Sequence, residues 1–153
     1  MDLNIENVKK VYLAGPFFNP EQRDAVTKVA AFLREKYEVF VPMEHFIKDG
    51  EDLPNDIWGK AVFDMDVEAI KENDLMVVLD YGFISDAGTA WEAGCAYALN
   101  IPSFIISFNS SPNPIHSLML VNGCTKFFSS FNEFCHYINA DEYKDCFNEI
   151  EQK

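Results

Sequence analysis

The sequence predicts an α/β protein built on a parallel sheet with helices on both faces. Three observations predict it. Short β-like runs alternate with helical stretches along the chain. The run Leu75–Leu79 is apolar without interruption, as a central strand covered on both faces must be. The segments between the runs are helix-length, which is what βαβ crossovers require.

Val11-Tyr12-Leu13-Ala14 forms the first buried strand, broken by Gly15-Pro16. A helix is expected from about Pro20 to Lys36, with apolar positions at Ala25, Val29, Phe32 and Leu33. Glu38–Val41 is the second strand, closed by Pro42. A polar loop with Gly50 and Pro54 leads into a helix over about Asp56–Glu72, expected to bury Ile57, Val62, Val67 and Ile70. Leu75–Leu79 is the third strand, and Gly82–Asp86 is a loop. The next helix, about Ala87–Leu99, is rich in alanine, which allows close packing. Phe104-Ile105-Ile106 is the fourth strand, Thr125–Phe128 a short fifth, and the tail from Phe131 onward is helical. In such sheets ligands bind beyond the carboxyl ends of the strands. That rule selects the loops Ala14–Phe18, Val41–Phe46 and Asp80–Glu92.

The 153 residues suit one domain over 1–153, and the 48% hydrophobic content argues against disorder. A net charge of −13 without a Lys/Arg cluster argues against nucleic acid and against anionic membrane surfaces as partners. No apolar run spans a bilayer, and the start MDLNIENVKK has no signal-peptide pattern, so a cytoplasmic location is expected. Cys95, Cys124, Cys135 and Cys146 lack metal-ligand spacing and read as reduced packing thiols. The high aromatic share admits both core packing and a pocket for a flat ligand.

The segment Ser85–Gly94 joins a buried strand to a helix, and Glu92 falls about one turn inside that helix among small residues. A lone glutamate on a mostly buried helix is conspicuous, although spacing alone fits an exposed-face or capping residue equally well. Tyr12 ends the first strand, where its hydroxyl could meet a carboxylate or simply reach solvent. Asp66 lies on an apolar-periodic helix, with Asp64 the better candidate for its solvated face. The Gly15–Asn19 loop has no Gly-x-Gly-x-x-Gly pattern, and no Walker loop or Ser-His-Asp order with a nucleophile elbow occurs. His45, His116 and His136 show no ligand spacing and are not expected to be catalytic. Carboxylates, a tyrosine and aromatic walls remain. That set suits glycosyl chemistry, with one carboxylate at the anomeric carbon and another managing protons at the leaving group.

These residues resemble the nucleoside 2-deoxyribosyltransferase family over about Lys10–Phe134. Val11–Asn19 is similar to the family's opening strand and loop. Asp86–Gly94 resembles its nucleophile motif, D-x-G-T-x-[WF]-E-x-G. Phe63–Val67 with Glu72-Asn73-Asp74, and Ser117–Leu120, are similar to later family segments. The resemblance implies a flavodoxin-like, five-stranded parallel sheet and exchange of the nucleobase of 2′-deoxyribonucleosides through a covalent deoxyribosyl-glutamate. It makes Glu92 the nucleophile, has Tyr12 orient it, and gives Asp66 the protonation of the base. Asp86 would bind the sugar, near its 5′-hydroxyl. Phe18 would wall the base pocket, and Gly15, Gly88, Ser117 and Met119 would complete the substrate site. It further implies deoxynucleosides and free nucleobases as partners, no metal or organic cofactor, and a dimer-based homo-oligomer, up to a tetramer or hexamer, in which Ser117 is lent to a neighbouring subunit. Two departures bear on substrate. Ser117 replaces the usual asparagine, as in the related deoxynucleoside 5′-monophosphate N-glycosidases. Phe46 stands where some transferases carry a base-binding glutamine. The alternative reading is therefore an N-glycosidase with water as acceptor. Against a phosphorylated substrate stand Asp86 and the acidic net charge.

Overall fold

The computed structural model describes residues 3–140. Five strands, β1 (Lys10–Ala14), β2 (Glu38–Phe40), β3 (Leu75–Asp80), β4 (Ser103–Ser107) and β5 (Lys126–Phe128), form one sheet in the order β2-β1-β3-β4-β5. Every pairing is parallel, with Tyr12 beside Met76 and Asp80 beside Ser107. Five helices flank it: α1 (Pro20–Leu33), α2 (Asn55–Glu72), α3 (Ala87–Ala98), α4 (Leu118–Gly123) and α5 (Phe131–Ile138). This is the parallel sheet with helices on both faces that the alternating pattern predicts, in the flavodoxin-like order that the family resemblance implies.

Successive strand residues point to opposite faces, so each strand feeds two cores. Val11, Leu13, Val77, Leu79, Phe104 and Ile106 pack with Val29, Leu33 and Phe134, placing α1 and α5 on one face. Tyr12, Ala14, Met76, Val78 and Ile105 pack with Ile70, Ala93, Ala96 and Leu120, placing α2, α3 and α4 on the other. All six residues of β3 are buried, which is why its sequence shows no alternation. Tyr12 therefore lies in mid-strand, fully buried on the α2–α3 face. It does not end the strand, as the sequence had suggested.

Side-chain caps set the helix starts. Asn19 Oδ1 accepts from Gln22 N with Pro20 at the first position, Asp86 Oδ2 accepts from Thr89 N, and Ser130 Oγ accepts from Glu133 N. Helix α2 departs from expectation. Ile70 is buried, Val62 and Val67 are half-buried, and Ile57 is exposed. Ile57 and Trp58, in the first turn of α2, are exposed and belong to neither core. Helix α4 has no counterpart in the sequence reading, because Leu118-Met119-Leu120-Val121 is apolar in succession and carries no 3.6-residue period. Only Leu120 of that run is buried. The helical tail reaches Ile138, and its continuation past residue 140, with Cys146, lies outside the described residues. Among the described residues no helix is long and apolar enough to cross a membrane.

Candidate active site

Strands β1 and β3 are neighbours whose chains continue to opposite sides of the sheet, so a crevice opens beyond Ala14 and Asp80. Gly15 passes close to β3 there: a Cβ on it would sit 3.1 Å from Leu79 Cβ. Under this crevice, on the α2–α3 face, three predicted residues converge. Tyr12 rises from β1, Asp66 comes from α2, and Glu92 from the second turn of α3.

The Tyr12 hydroxyl donates a hydrogen bond to Glu92 Oε2. Only that oxygen of Glu92 is engaged, so Oε1 is left for another partner. Tyr12 stacks on Phe40 at 5.3 Å between ring centroids, and Phe40 on His45 at 4.2 Å. The stack fixes the phenol ring and thus the hydrogen-bond donor. Asp66 Oδ1 is buried and has no hydrogen-bond partner. A buried polar atom without a partner costs stability and marks a place where a ligand group can be received.

The electrostatics follow from this crowding of acids in a half-dry cleft. Burial, opposed by the Tyr12 hydrogen bond and reinforced by Asp66 and Asp86, pushes the Glu92 carboxyl up to about 7. The Glu92 carboxyl is therefore partly protonated at neutral pH. Burial, with Glu92 and Asp66 adding, raises the Tyr12 phenol far above its usual range, so it stays a donor. Burial also raises Asp66, with His45 opposing.

A folded-state pKa above the unfolded value means that stability is fully present at low pH and lost as pH rises through about 7. Glu92→Gln keeps an acceptor for Tyr12 and removes the buried charge. It should therefore melt above the parent protein at pH 8, by an amount worth roughly 1–3 kcal/mol, and converge with it near pH 4. Thermal scans at the two pH values check this, and a variant less stable than the parent at pH 8 would contradict it.

The carboxylates face a cleft of about 540 Å³ between α2 and α3, lined by Asp66, Gly88 and Glu92 together with Trp58, Phe63 and Trp91. Phe63 and Trp91 meet edge to face at 5.1 Å. These three aromatics were not singled out from the sequence as pocket residues. Their signal was present: Trp58 and Phe63 fall off the buried stripe of α2, and Trp91 adjoins the lone glutamate.

Asp86 and Phe18 line an adjoining cleft of about 430 Å³ with Pro16, Ile84 and Ser85, and Ala87 borders both clefts. Asp86 Oδ2 caps α3 through Thr89 N and Thr89 Oγ, both at 2.8 Å, which leaves Oδ1 without a hydrogen bond. Phe18 is 73% exposed and touches Phe17, so it stands at the rim rather than as a packed wall. Phe46 is also exposed. Ser117 and Met119 line a third cleft with Ala90, Ala93 and Tyr97, and do not join Glu92 within the chain. Met119 is 84% exposed. A sequence-distant trio also appears: Asp80, His116 and Ser107 are hydrogen-bonded and buried. With Ser107 only 4% exposed, its hydroxyl is closed to a substrate.

Comparison with known proteins agrees with this fold. The sequence profile of the nucleoside 2-deoxyribosyltransferase family matches residues 11–140. A nucleoside deoxyribosyltransferase of Limosilactobacillus fermentum is 30% identical over 128 residues, covering 76% of each chain. The structure of the 2-deoxyribosyltransferase of Bacillus psychrosaccharolyticus superposes with a TM-score of 0.74 at 34% identity, covering 84% of this chain and 91% of that one. A CMP N-glycosidase of Clostridium botulinum shares the fold, with a TM-score of 0.59 at 19% identity over 86% of this chain and 99% of that one. With its doubly wound sheet and a profile match from the first strand through the last helix, this chain belongs to the nucleoside 2-deoxyribosyltransferase family, a family of pentosyl-transferring enzymes.

Proposed function

We propose that the protein exchanges the nucleobase of 2′-deoxyribonucleosides through a covalent deoxyribosyl-Glu92. The observation that carries this reading is the cluster itself: one oxygen of Glu92 is held by Tyr12, the other is unengaged, and Asp66 presents a buried, unpartnered oxygen to the same cleft. Glu92 Oε1 attacks C1′ as the bond from C1′ to the base nitrogen breaks. The base leaves with the bonding pair and takes a proton from Asp66, whose raised pKa suits it to hold one. A second base then attacks C1′, returns a proton to Asp66, and releases Glu92 as carboxylate. Tyr12 orients the carboxylate and withdraws negative charge from Oε2, which tempers the attack and helps the carboxylate leave in the second step. Sugars lacking the 2′-hydroxyl reach oxocarbenium character more readily.

Asp86 Oδ1 and the Phe18 rim serve the sugar and base ends of the adjoining cleft. Gly15 and Gly88 keep the backbone close enough for the nucleoside to sit between the two clefts. Ser117 and Met119, remote from Glu92 in their own chain, are contributed to a neighbouring subunit's site in a dimer-based assembly. The exposed Leu118, Met119, Trp91 and Tyr97 supply apolar surface for that contact.

The function is tested by incubating one deoxynucleoside with a different free base and separating the products. A new deoxynucleoside is expected. Free deoxyribose as the only sugar product would make the enzyme an N-glycosidase, and no turnover would remove the catalytic reading.

A further inference from the structure

The crevice-side loops are joined by a hydrogen-bonded chain that the transfer chemistry does not use. Asn109 N–H donates to Ser107 Oγ at 3.4 Å, so the Ser107 hydroxyl proton is free to go to His116 Nε2 at 2.9 Å. His116 Nδ1–H then donates to Asp80 Oδ2 at 2.6 Å, and Ser85 Oγ donates to Asp80 Oδ1 at 2.8 Å. Each member of this chain is satisfied with a neutral imidazole. The His116 and Asp80 side chains are 5% and 2% exposed.

The same two loops are fastened by the backbone. Phe83 N–H donates to Ile115 O, and Asn109 Nδ2 donates to Tyr81 O at 2.8 Å. Gly82 has φ +76°, and a Cβ there would lie 2.8 Å from both Ile115 O and Asn109 Nδ2. Phe83 is held at φ +31°, a conformation that persists only where the surroundings impose it. The loop that ends at Asp86 and the segment that delivers Ser117 are therefore parts of one rigid joint, with His116 at its centre.

We propose that His116 is a positioning residue for sugar recognition. Through Asp80 it locks the 115–119 segment onto the 80–86 loop, so that Asp86 and Ser117 are set by a single network. The inference rests on the proposed function, with Asp86 near the sugar's 5′-hydroxyl and Ser117 taken to reach the same end of the sugar in the neighbouring subunit's site. A lesion at His116 would then disturb 5′-end recognition rather than the reacting bond.

The experiment compares catalytic efficiencies on a 2′-deoxynucleoside and its 2′,5′-dideoxy counterpart, with kcat and KM separated. The wild type should prefer the 5′-hydroxyl. His116→Ala should reduce that preference at least about tenfold, chiefly through KM for the hydroxylated substrate. His116→Asn keeps a donor near Asp80 and should restore most of it. A general loss of stability would lower both substrates alike and leave their ratio unchanged. Gly82→Ala wedges the joint open against Ile115 O and Asn109 Nδ2 at 2.8 Å, while His116 Cε1 at 3.4 Å is only in ordinary contact and the trio's polar atoms are untouched. It should lower the same ratio, and it decides the question if His116→Ala does not fold. A wild type with no 5′-hydroxyl preference overturns the sugar reading and the inference with it. A wild-type preference that survives in His116→Ala, or in Gly82→Ala where His116→Ala does not fold, overturns the inference alone.

Discussion

Replacing Glu92 with alanine should leave a folded protein whose base exchange is at least about a thousandfold slower, the scale expected when a covalent nucleophile is removed. Folding should survive because Glu92 contributes little to the core. It is half-buried, its single hydrogen bond is to Tyr12, and its raised pKa shows that the folded state already bears a cost for its charge. Tyr12→Phe removes the orienting donor and keeps the packed ring, so it should cost only about 0.5–3 kcal/mol of transition-state stabilisation. Steady-state rates of purified variants check both. More than a tenth of parental turnover in Glu92→Ala would exclude Glu92 as nucleophile.

The second large effect concerns protons. The working form needs Glu92 ionised and Asp66 protonated, and both groups are raised. Catalytic efficiency should therefore be bell-shaped in pH, because loss of the Glu92 charge on one side and of the Asp66 proton on the other each removes the working form. The two carboxyls interact, so the two limbs belong to the pair rather than to either residue. Asp66→Asn should slow turnover by about 10²–10⁴-fold, the range for loss of a general acid. It should also abolish the fall in rate at high pH, because no acid proton remains there to be lost. A full-rate Asp66→Asn enzyme, or a fall at high pH that persists in it, would contradict the assignment.

Much of this was legible in the sequence for identifiable reasons. The strands β1, β3 and β4 each carry an uninterrupted apolar run because helices cover both faces, and such runs are easy to read. Glu92 stood out because its helix is otherwise small and apolar. The positions that escaped depend on tertiary contacts. Nothing in Ile57 signals that the first turn of α2 packs on neither core. Helix α4 lacks periodicity because its exposed side is as apolar as its buried one. The raised Glu92 pKa comes first from burial in the folded cleft, with Asp66, twenty-six positions away, adding from another helix. His116 gave no spacing signal because its partners, Asp80 and Ser107, are the last residues of two adjacent strands. Only the sheet register brings them together.

The central claim is the glycosyl-enzyme, and intact-mass spectrometry tests it most directly. A 2′-deoxynucleoside bearing fluorine at C2′ in the arabino configuration destabilises oxocarbenium character and slows release of the sugar. Incubated without an acceptor base, the parent enzyme should gain the mass of one fluorinated sugar per chain. Peptide mapping should place it on Glu92, and Glu92→Gln should gain nothing. Steady turnover of the unfluorinated substrate, with no adduct formed from slowly processed fluorinated substrate, would contradict the account and point to direct attack by the acceptor.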